Sequence, residues 1–198
     1  MMDIWERIKK IPKVKHVFVG SGVRYDLLVD KYSDEYLLAL CAEHVSGQLK
    51  VAPEHTSDAV LDLMKKPHLE VYEAFVDRFN RISSRLHKKQ YLVNYLISGH
   101  PGSSLEEALA MSLYLLGKNM RPEQIQDFIP LPMTLSGSAY HTGLDPLTGS
   151  KIYVPRAAGE RAMSRALIQY NQPRNRRLVI KALRALRRTD LIKKFFRA

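Results

Sequence analysis

The feature that most constrains the fold of this chain is a repeated alternation of short strand-like segments with longer helix-like segments. Runs rich in β-branched and aromatic residues predict strands at 16–21, 48–52, 90–98 and 124–129. Amphipathic stretches with helical spacing separate these runs. Strands that are joined by helices run parallel, and the helices pack on the outside of the sheet. The sequence therefore predicts an α/β fold built on parallel strands.

The predicted helices carry start signals and apolar faces. Ser33 heads a helix over 33–46. Ser104 and Glu107 have the spacing of a capping box at the head of a helix that reaches Gly117. Further helices are predicted from Thr56 or Ser57 onward, over 70–88, near 159–170 and over 174–188.

Four such strands make about half of an eight-stranded barrel and leave an unpaired edge that proteins normally cover. The chain is therefore expected to associate with itself or another protein, or to be a piece of a longer protein, and the second interpretation is favoured. After Pro132 the composition changes, and 133–155 is rich in glycine and proline. The expected organisation is a partial barrel over 1–132, followed by a loop-rich connection and a helical extension over 133–198.

The positive charge of the chain is concentrated near its C-terminus. Of a net charge of +11, residues 1–150 contribute −1, from 17 basic and 18 acidic residues, and 151–198 contribute +12, from 14 and 2. The segment 174–188 is both amphipathic and basic. This pattern indicates a polyanionic partner such as RNA, or docking on an acidic surface outside this chain.

Composition excludes several classes of protein. The hydrophobic fraction of 45% and charged fraction of 26% are those of a globular protein rather than a disordered or collagen-like one. The single cysteine, Cys41, excludes an internal disulfide and any all-cysteine metal or cluster site made by this chain alone. Neither a membrane-length apolar run nor a secretory signal is present, so a cytoplasmic protein without a membrane partner is expected.

Two further kinds of site are not expected. Gly20-Ser21-Gly22 lacks the Gly-Lys-Ser/Thr of a phosphate loop, and no Gly-x-Gly-x-x-Gly is present. These absences argue against nucleoside-triphosphate hydrolysis and dinucleotide binding. The seven histidines show no metal-ligand spacing, so no metal site is expected.

Polar or glycine-containing sequence follows each predicted strand, where ligands bind in parallel α/β sheets. The four segments are 20–26, 52–57, 98–104 and 130–134. Glycines in them would let the backbone approach a ligand closely, although tight turns also need glycine. Four such ends at one edge of a sheet indicate a ligand site more strongly than any one alone.

The candidate side chains have structural as well as functional interpretations. In the functional interpretation, Glu54 and His55 bond to ribose hydroxyls or act as acid and base. In the structural one, Glu54 interacts with a nearby helix N-terminus and His55 is a loop histidine whose hydrogen bonds are satisfied. Arg24 fits binding of a carboxylate or phosphate, or a surface ion pair. Tyr140 and His141 fit contact with a substrate, or a packed aromatic ring beside an exposed histidine.

Several long motifs, in order, resemble the later half of YgiQ-type radical S-adenosylmethionine (SAM) proteins, a family often described as iron–sulfur oxidoreductases. The resemblance extends over essentially the whole chain. The motifs are Val19-Gly20-Ser21-Gly22-Val23-Arg24-Tyr25-Asp26, Leu49-Lys50-Val51-Ala52-Pro53-Glu54-His55-Thr56, Tyr95-Leu96-Ile97-Ser98-Gly99-His100-Pro101-Gly102, Gln126-Asp127-Phe128-Ile129-Pro130, Thr142-Gly143-Leu144-Asp145-Pro146 and Val154-Pro155-Arg156.

The resemblance implies strands three to six of a partial (β/α)6 barrel. In such proteins a Cys-x-x-x-Cys-x-x-Cys loop holds a [4Fe–4S] cluster, and reductive cleavage of SAM gives a radical that abstracts hydrogen from the substrate. This chain has one cysteine and lacks that loop. The longer parent is therefore expected to be an enzyme, whereas this chain alone is expected to be inactive and to bind neither cofactor stoichiometrically.

The resemblance also implies roles for particular residues. Those expected near SAM are Glu54 and His55 at the ribose, Ser98, Gly99, His100 and Gly102 at the adenine, and Pro130 on its far side. Those expected to face a substrate are Arg24, Tyr25, Tyr140 and His141.

Three interpretations of function follow. The first is a C-terminal piece of a radical SAM enzyme, whose partner is the missing part of the barrel. The second is a non-catalytic module that binds nucleic acid or protein through 174–188. The third is a compact lyase or hydrolase that uses Glu54 and His55 without a cluster.

Overall fold

A computed structural model describes residues 1–29 and 34–196. The protein is α/β, with a small parallel three-stranded sheet in the order β1–β2–β3 and many helices. The strands are β1 (Gln48–Glu54), β2 (Tyr91–Ser98) and β3 (Gln126–Asp127). The predicted α/β class with parallel strands and the predicted strands at 48–52 and 90–98 are confirmed, whereas the partial barrel remains a prediction.

The predicted fourth strand is much shorter in the structure. Of 124–129, only β3 pairs, with Gln126 opposite Ile97 and Asp127 opposite Ser98. The next residue, Phe128, still donates its N–H to the Ser98 carbonyl at 2.8 Å. The chain then reaches Pro130, which has no N–H with which to extend the ladder.

The predicted strand at 16–21 is wrong. The segment contacts its neighbours only at intervals: Val19 N–H donates to the His44 carbonyl at 2.9 Å, and Val23 forms a single parallel bridge with Val51. Gly20 and Gly22 lie between these two contacts, and glycine weakens a strand because it has no side chain to pack. The β-branched run therefore lies beside β1 without forming a continuous ladder.

The helices of the first half largely follow the predictions. The helix expected over 33–46 is α2 (Asp34–Ala39) followed by a π-helical turn (Leu40–His44), and its expected cap, Ser33, lies outside the described residues. The other helices here are α1 (Met2–Lys9), which was not predicted, α3 (Asp58–Met64) and α4 (Leu69–Arg85), with a 3-10 turn at Tyr25–Leu28.

The second half contains two helices that were not predicted, α6 (Leu135–Thr142) and α9 (Ile192–Phe195). The expected loop over 133–155 includes α6 (Leu135–Thr142), where the Thr134 side chain accepts a hydrogen bond from Gly137 N–H at 3.0 Å. The expected capping by Ser104 is confirmed, since its Oγ accepts from Glu107 N–H at 3.3 Å. The remaining helices are α5 (Leu105–Gly117), α7 (Ala158–Ile168), α8 (Arg176–Ala185) and α9 (Ile192–Phe195), with 3-10 turns at Pro173–Asn175 and Thr189–Leu191.

The chain forms two compact units, each with its own core. The first unit comprises 1–53 and 69–95, and the second comprises 54–68 and 96–198. Side chains buried in the first core include Trp5, Leu37, Val51, Phe75 and Phe79, and those buried in the second include Met111, Leu115, Leu167, Val179 and Leu183. The proposed division after residue 132 remains a prediction. Across the described ranges, every helix is too short or too polar to cross a membrane.

Candidate functional site

Residues that follow all three strands come together in the second unit. His55 comes directly after β1, His100 two residues after β2, and Phe128 directly after β3. Because the strands are parallel, their carboxyl ends share one edge of the sheet. Hydrogen bonds and ring contacts connect these three segments to one another and to α6.

His55 is fully buried and both its ring nitrogens have partners. Nδ1 accepts a hydrogen bond from Ser57 N–H at 3.0 Å, so the proton of the neutral ring lies on Nε2 and points to Ser103 Oγ, 3.2 Å away. Burial, with a smaller contribution from His100, lowers the pKa of His55 to about 4. At neutral pH the ring is an uncharged bridge between the segments after β1 and β2.

Glu54 combines an unusual backbone with a mostly buried carboxylate. Its φ of 66° lies in the left-handed region, which residues other than glycine seldom adopt. One carboxylate oxygen, Oε1, lies 3.3 Å from Lys66 Nζ. Burial raises the pKa of Glu54, and the Lys66 ammonium opposes that shift. Strained backbone of this kind clusters at functional sites, so Glu54 stays among the site candidates.

His100 is also buried and joins β2 to α6. Its Nδ1 lies 2.7 Å from the carbonyl of Pro101, which can only accept, so Nδ1 carries the proton. Its Nε2 therefore accepts from Ser136 Oγ at 2.8 Å. Burial lowers the pKa of His100, and the Pro101 carbonyl partly offsets that effect. The neutral imidazole thus holds a serine near the start of α6.

A chain of ring contacts extends from His100 to the substrate candidates. The His100 ring meets the Phe128 ring edge-on at 4.9 Å between centroids, and Phe128 lies 5.8 Å from Tyr140. Tyr140 in turn meets His141 at 5.6 Å. Arg156 lies over the Tyr140 ring at 5.3 Å and donates to the Tyr140 and His141 carbonyls at 2.6 and 2.9 Å. Arg156 lies in the Val154-Pro155-Arg156 motif but was not among the predicted site residues, because the sequence does not show that it contacts Tyr140.

The end of β2 and the segment that follows it are packed most tightly at Gly102. Ser98 Oγ is buried and has no hydrogen-bond partner in the described part of the chain. Gly99 and Gly102 have φ values of 75° and 89°. A Cβ on Gly102 would lie 2.5 Å from Leu63 Cδ1, and one on Gly99 would meet Arg161 Cδ at 3.9 Å.

The face of this segment is therefore partly covered by the chain itself. Gly102 N–H donates to the Tyr153 carbonyl at 2.7 Å, and Pro155 lies beside Gly99. Pro130, the candidate that follows β3, is half-buried between exposed Ile129 and Leu131. The backbone after β2 is thus in contact with 153–155, and the buried Ser98 Oγ has no hydrogen-bond partner among the described residues.

The other two substrate candidates lie in the first unit. Arg24 is exposed and pairs with Asp26 through Nε–Oδ1 at 2.9 Å and Nη2–Oδ2 at 2.6 Å. Tyr25 is buried in the core, where its ring packs against Tyr72 and Phe75. Arg24 also lines an open cavity of about 560 Å³ with Trp5 and other residues of this unit.

The described residues contain no group of three or more histidine, cysteine or acidic side chains placed to bind a metal ion. Cys41 is fully buried, and burial raises its pKa to about 11, so the thiol is protonated at neutral pH. Its chemistry is that of a core residue rather than of a nucleophile.

Known proteins resemble this chain at two levels, that of a domain family and that of longer relatives. A model of a domain of unknown function, DUF3362, matches residues 123–195. The chain as a whole is similar to UPF0313 proteins, among them one from Methanosarcina mazei, 50% identical over 192 residues, which are 97% of this chain and 30% of that protein. Similar proteins occur in Methanosarcina acetivorans (48% over 192 residues, 97% and 26%) and Clostridium botulinum strain 657 (48% over 191 residues, 96% and 30%).

The chain therefore matches a portion of a UPF0313 protein and spans less than a third of the length of these curated relatives. The matched DUF3362 segment begins just before β3 and contains α6, α7 and α8. It thus includes the half of the candidate site that carries Phe128, Ser136 and Tyr140.

Proposed function

We propose that this chain is the C-terminal part of a radical SAM iron–sulfur enzyme of the YgiQ type. In this proposal the parallel sheet belongs to a partial barrel over 1–132 that the longer, cytoplasmic protein completes, and 133–198 extends it. The motif resemblance supports the proposal, and so does the small share of each UPF0313 relative that the chain covers. The longer protein is the enzyme, and this chain alone is inactive.

The observation that carries the proposal is the meeting of the strand ends. The resemblance assigns SAM-binding roles to His55, His100 and Pro130, which follow β1, β2 and β3. His55 bonds to Ser103 and His100 to Ser136, and the His100 ring meets Phe128, two residues before Pro130. A ligand site at the carboxyl edge of parallel strands requires such an arrangement.

An iron–sulfur cluster does not fit the residues of this chain. Clusters are held by several thiolates, and the single thiol, that of Cys41, is buried and protonated. In the longer protein the cluster would supply the electron for SAM cleavage, and its ligands would lie outside this chain.

The adenosine portion of SAM fits part of the site. Ser98 supplies a buried hydroxyl that lacks a partner among the described residues, and Glu54 supplies a carboxylate that can accept from a ribose hydroxyl. His55 is already bonded at both nitrogens, so its role in this proposal is to orient the Glu54 backbone and the start of α3. Tyr140 and His141 remain the proposed substrate contacts.

The test uses the longer protein with its cluster reconstituted anaerobically. Titration calorimetry with SAM is compared for the wild type, Glu54→Ala and Ser98→Ala. Each variant should weaken SAM binding by about 1–3 kcal/mol, because a buried hydrogen-bonding partner is lost. Iron content should not change, since neither residue is a cluster ligand.

His68→Ala is the control, because His68 is partly exposed, pairs with Asp62 at 2.8 Å and was not among the predicted site residues. Its SAM affinity should equal that of the wild type. Unchanged affinity in both Glu54→Ala and Ser98→Ala would remove these residues from the site. Failure of the iron-loaded longer protein to release 5′-deoxyadenosine with a reductant and SAM would overturn the proposed function.

A further inference from the structure

The helix α8 carries a row of three cations on one face. Arg177, Lys181 and Arg184 are four and three residues apart, a spacing that places them next to one another along a helix. All three are exposed. Within the described parts of the chain none of them forms an ion pair, so the charges face solvent.

The opposite face of α8 is fixed in the core of the second unit. Val179, Ala182 and Leu183 are completely buried there. This burial fixes the orientation of the helix, so its basic face cannot turn inward. The row is a property of the folded unit and does not depend on a flexible tail.

The surroundings of the row are also strongly basic. Residues 174–196 contain nine lysines and arginines and a single acidic residue, Asp190. Arg188 donates from Nε to Asp190 Oδ1 at 3.1 Å and from Nη2 to Asp190 Oδ2 at 3.0 Å. Arg176 lies over the Phe196 ring at 4.5 Å. Within 174–196 the exposed cations therefore have almost no counter-charge, as in a surface that binds a polyanion.

We propose that the basic face of α8 binds the phosphate backbone of a nucleic-acid duplex. Arginine forks donate two hydrogen bonds to one phosphate, and neutralising several phosphates releases counterions. The inference rests on α8 and its surroundings and is independent of the proposed radical SAM function.

Two alternative partners fit the surface less well. A membrane-surface helix must insert an apolar face into the lipid, but the apolar face of α8 is buried in the core. Binding of single strands relies on stacking of bases on aromatic side chains. In 174–196 the aromatic residues are Phe195, which is buried, and Phe196, which Arg176 covers.

The experiment measures fluorescence anisotropy of labelled oligonucleotides with the complete chain. The probes are an RNA duplex, a DNA duplex of the same sequence and the corresponding single strand. The first two show whether the surface prefers RNA or DNA, and the third shows whether it prefers a duplex to a single strand. Affinity for a duplex should fall at least about 30-fold between about 50 and 200 mM salt, as expected when three or more phosphates are neutralised.

The test variant replaces all three cations, Arg177→Gln, Lys181→Gln and Arg184→Gln. The matched control replaces Arg81, Arg85 and Lys89 by Gln, which removes the same charge from exposed positions on and just after α4. Glutamine preserves helix propensity, and circular dichroism verifies that both variants fold. The α4 positions share their helix with Glu70, Glu73 and Asp77, so they do not form a purely basic face.

The α8 variant should bind a duplex at least about tenfold more weakly at low salt, and its salt slope should fall by about one for each cation removed. The control should retain the wild-type salt slope. Equal weakening in both variants, or no duplex binding by the wild type at low salt, would overturn the proposal. It would also be overturned if poly-glutamate, anionic vesicles or the single strand bound as tightly as the duplexes.

Discussion

At the scale of single residues, His55 links the site to pH. The fold holds it neutral, with a pKa of about 4 against an ordinary value of 6.5, and the pKa of His100 is lowered in the same sense. Between pH 4 and pH 6.5, His55 therefore binds more protons in the unfolded chain than in the folded one. The stability that His55 contributes is therefore fully present above about pH 6.5 and is lost as pH falls toward 4.

We therefore predict that His55→Asn makes stability less dependent on pH. The asparagine Oδ1 can replace Nδ1 as the acceptor from Ser57 N–H, but an amide does not titrate. Denaturant unfolding at pH 7 and pH 5 should show that the loss of stability on acidification is smaller in the variant by about 1–2 kcal/mol. His141→Asn, which removes an exposed imidazole, is the comparison. Equal losses in the wild type and the His55 variant would contradict the assignment of a neutral, buried His55.

The sequence indicated which residues are candidates for the site, but it did not indicate which residues they contact. The pattern indicated that Arg24 binds an anion or forms a surface ion pair, and the structure shows the pair with Asp26. Tyr25 adjoins Arg24 in the same motif, yet its ring belongs to the core. A contact such as His100 with Ser136 joins residues 36 positions apart, and only the fold determines it.

At the scale of secondary-structure elements, two helical glycines serve opposite purposes. In α6 a Cβ on Gly137 would lie 2.2 Å from the Leu131 carbonyl oxygen and 2.8 Å from Thr134 Oγ1. In α7 a Cβ on Gly159 would meet nothing within 4 Å. The first glycine permits a close backbone approach, whereas the second only adds conformational entropy to the unfolded chain.

Gly137→Ala should therefore destabilise the protein by about 2 kcal/mol or more, because backbone atoms must move. Gly159→Ala should stabilise it by about 0.5–1 kcal/mol. Denaturant unfolding of the two single variants gives both values, and each serves as the control for the other. A stabilising Gly137→Ala would show that α6 does not depend on this approach.

The same glycine explains why α6 escaped sequence-based prediction. Ser136, Gly137 and Ser138 are poor helix formers, and the segment lies among glycines and prolines. Thr134 provides the cap that starts the helix, but a lone threonine is a weak signal. At 16–21 the reverse occurred, since a strong β-branched run predicted a strand that Gly20 and Gly22 interrupt. The sequence pattern predicted the correct secondary structure where it extends over many residues, as in α4 and β2. It failed where tertiary contacts determine the backbone conformation.

At the scale of the whole molecule, exposed apolar side chains predict self-association. On β2, Tyr91 and Tyr95 point to the same side of the strand and are 64% and 46% exposed. In the second unit Ile129, Leu131 and Met133 are also largely exposed. Groups of apolar side chains of this kind mark surfaces that another chain, or more of the same protein, covers.

We expect the isolated chain to associate reversibly, with a sedimenting mass that rises with concentration. Tyr91→Thr with Tyr95→Thr should shift the chain toward monomer, because threonine keeps strand propensity while removing apolar area. Phe18→Thr with Leu147→Thr removes two exposed apolar side chains outside β2 and should leave the association unchanged. A wild-type chain that stays monomeric at all concentrations would contradict the prediction.

The final prediction concerns iron, and it tests whether the chain is chemically incomplete by itself. The motif resemblance places cluster thiolates in a loop that this sequence lacks, and its one thiol, Cys41, is buried with a pKa of about 11. Ligation requires a thiolate, so even this sulfur would have to leave the core and lose its proton. The chain, reconstituted anaerobically with iron and sulfide, should therefore hold well under one iron per chain after desalting.

Cys41→Ser should give the same iron content as the wild type, because residual iron would be bound nonspecifically. The longer protein carrying this chain should hold about four irons under the same treatment, as one [4Fe–4S] cluster requires. Stoichiometric iron in the isolated chain that disappears in Cys41→Ser would mean that chains share a cluster through Cys41. That result would require the core around α2 to open, and it would contradict the assignment of Cys41 as a packing residue.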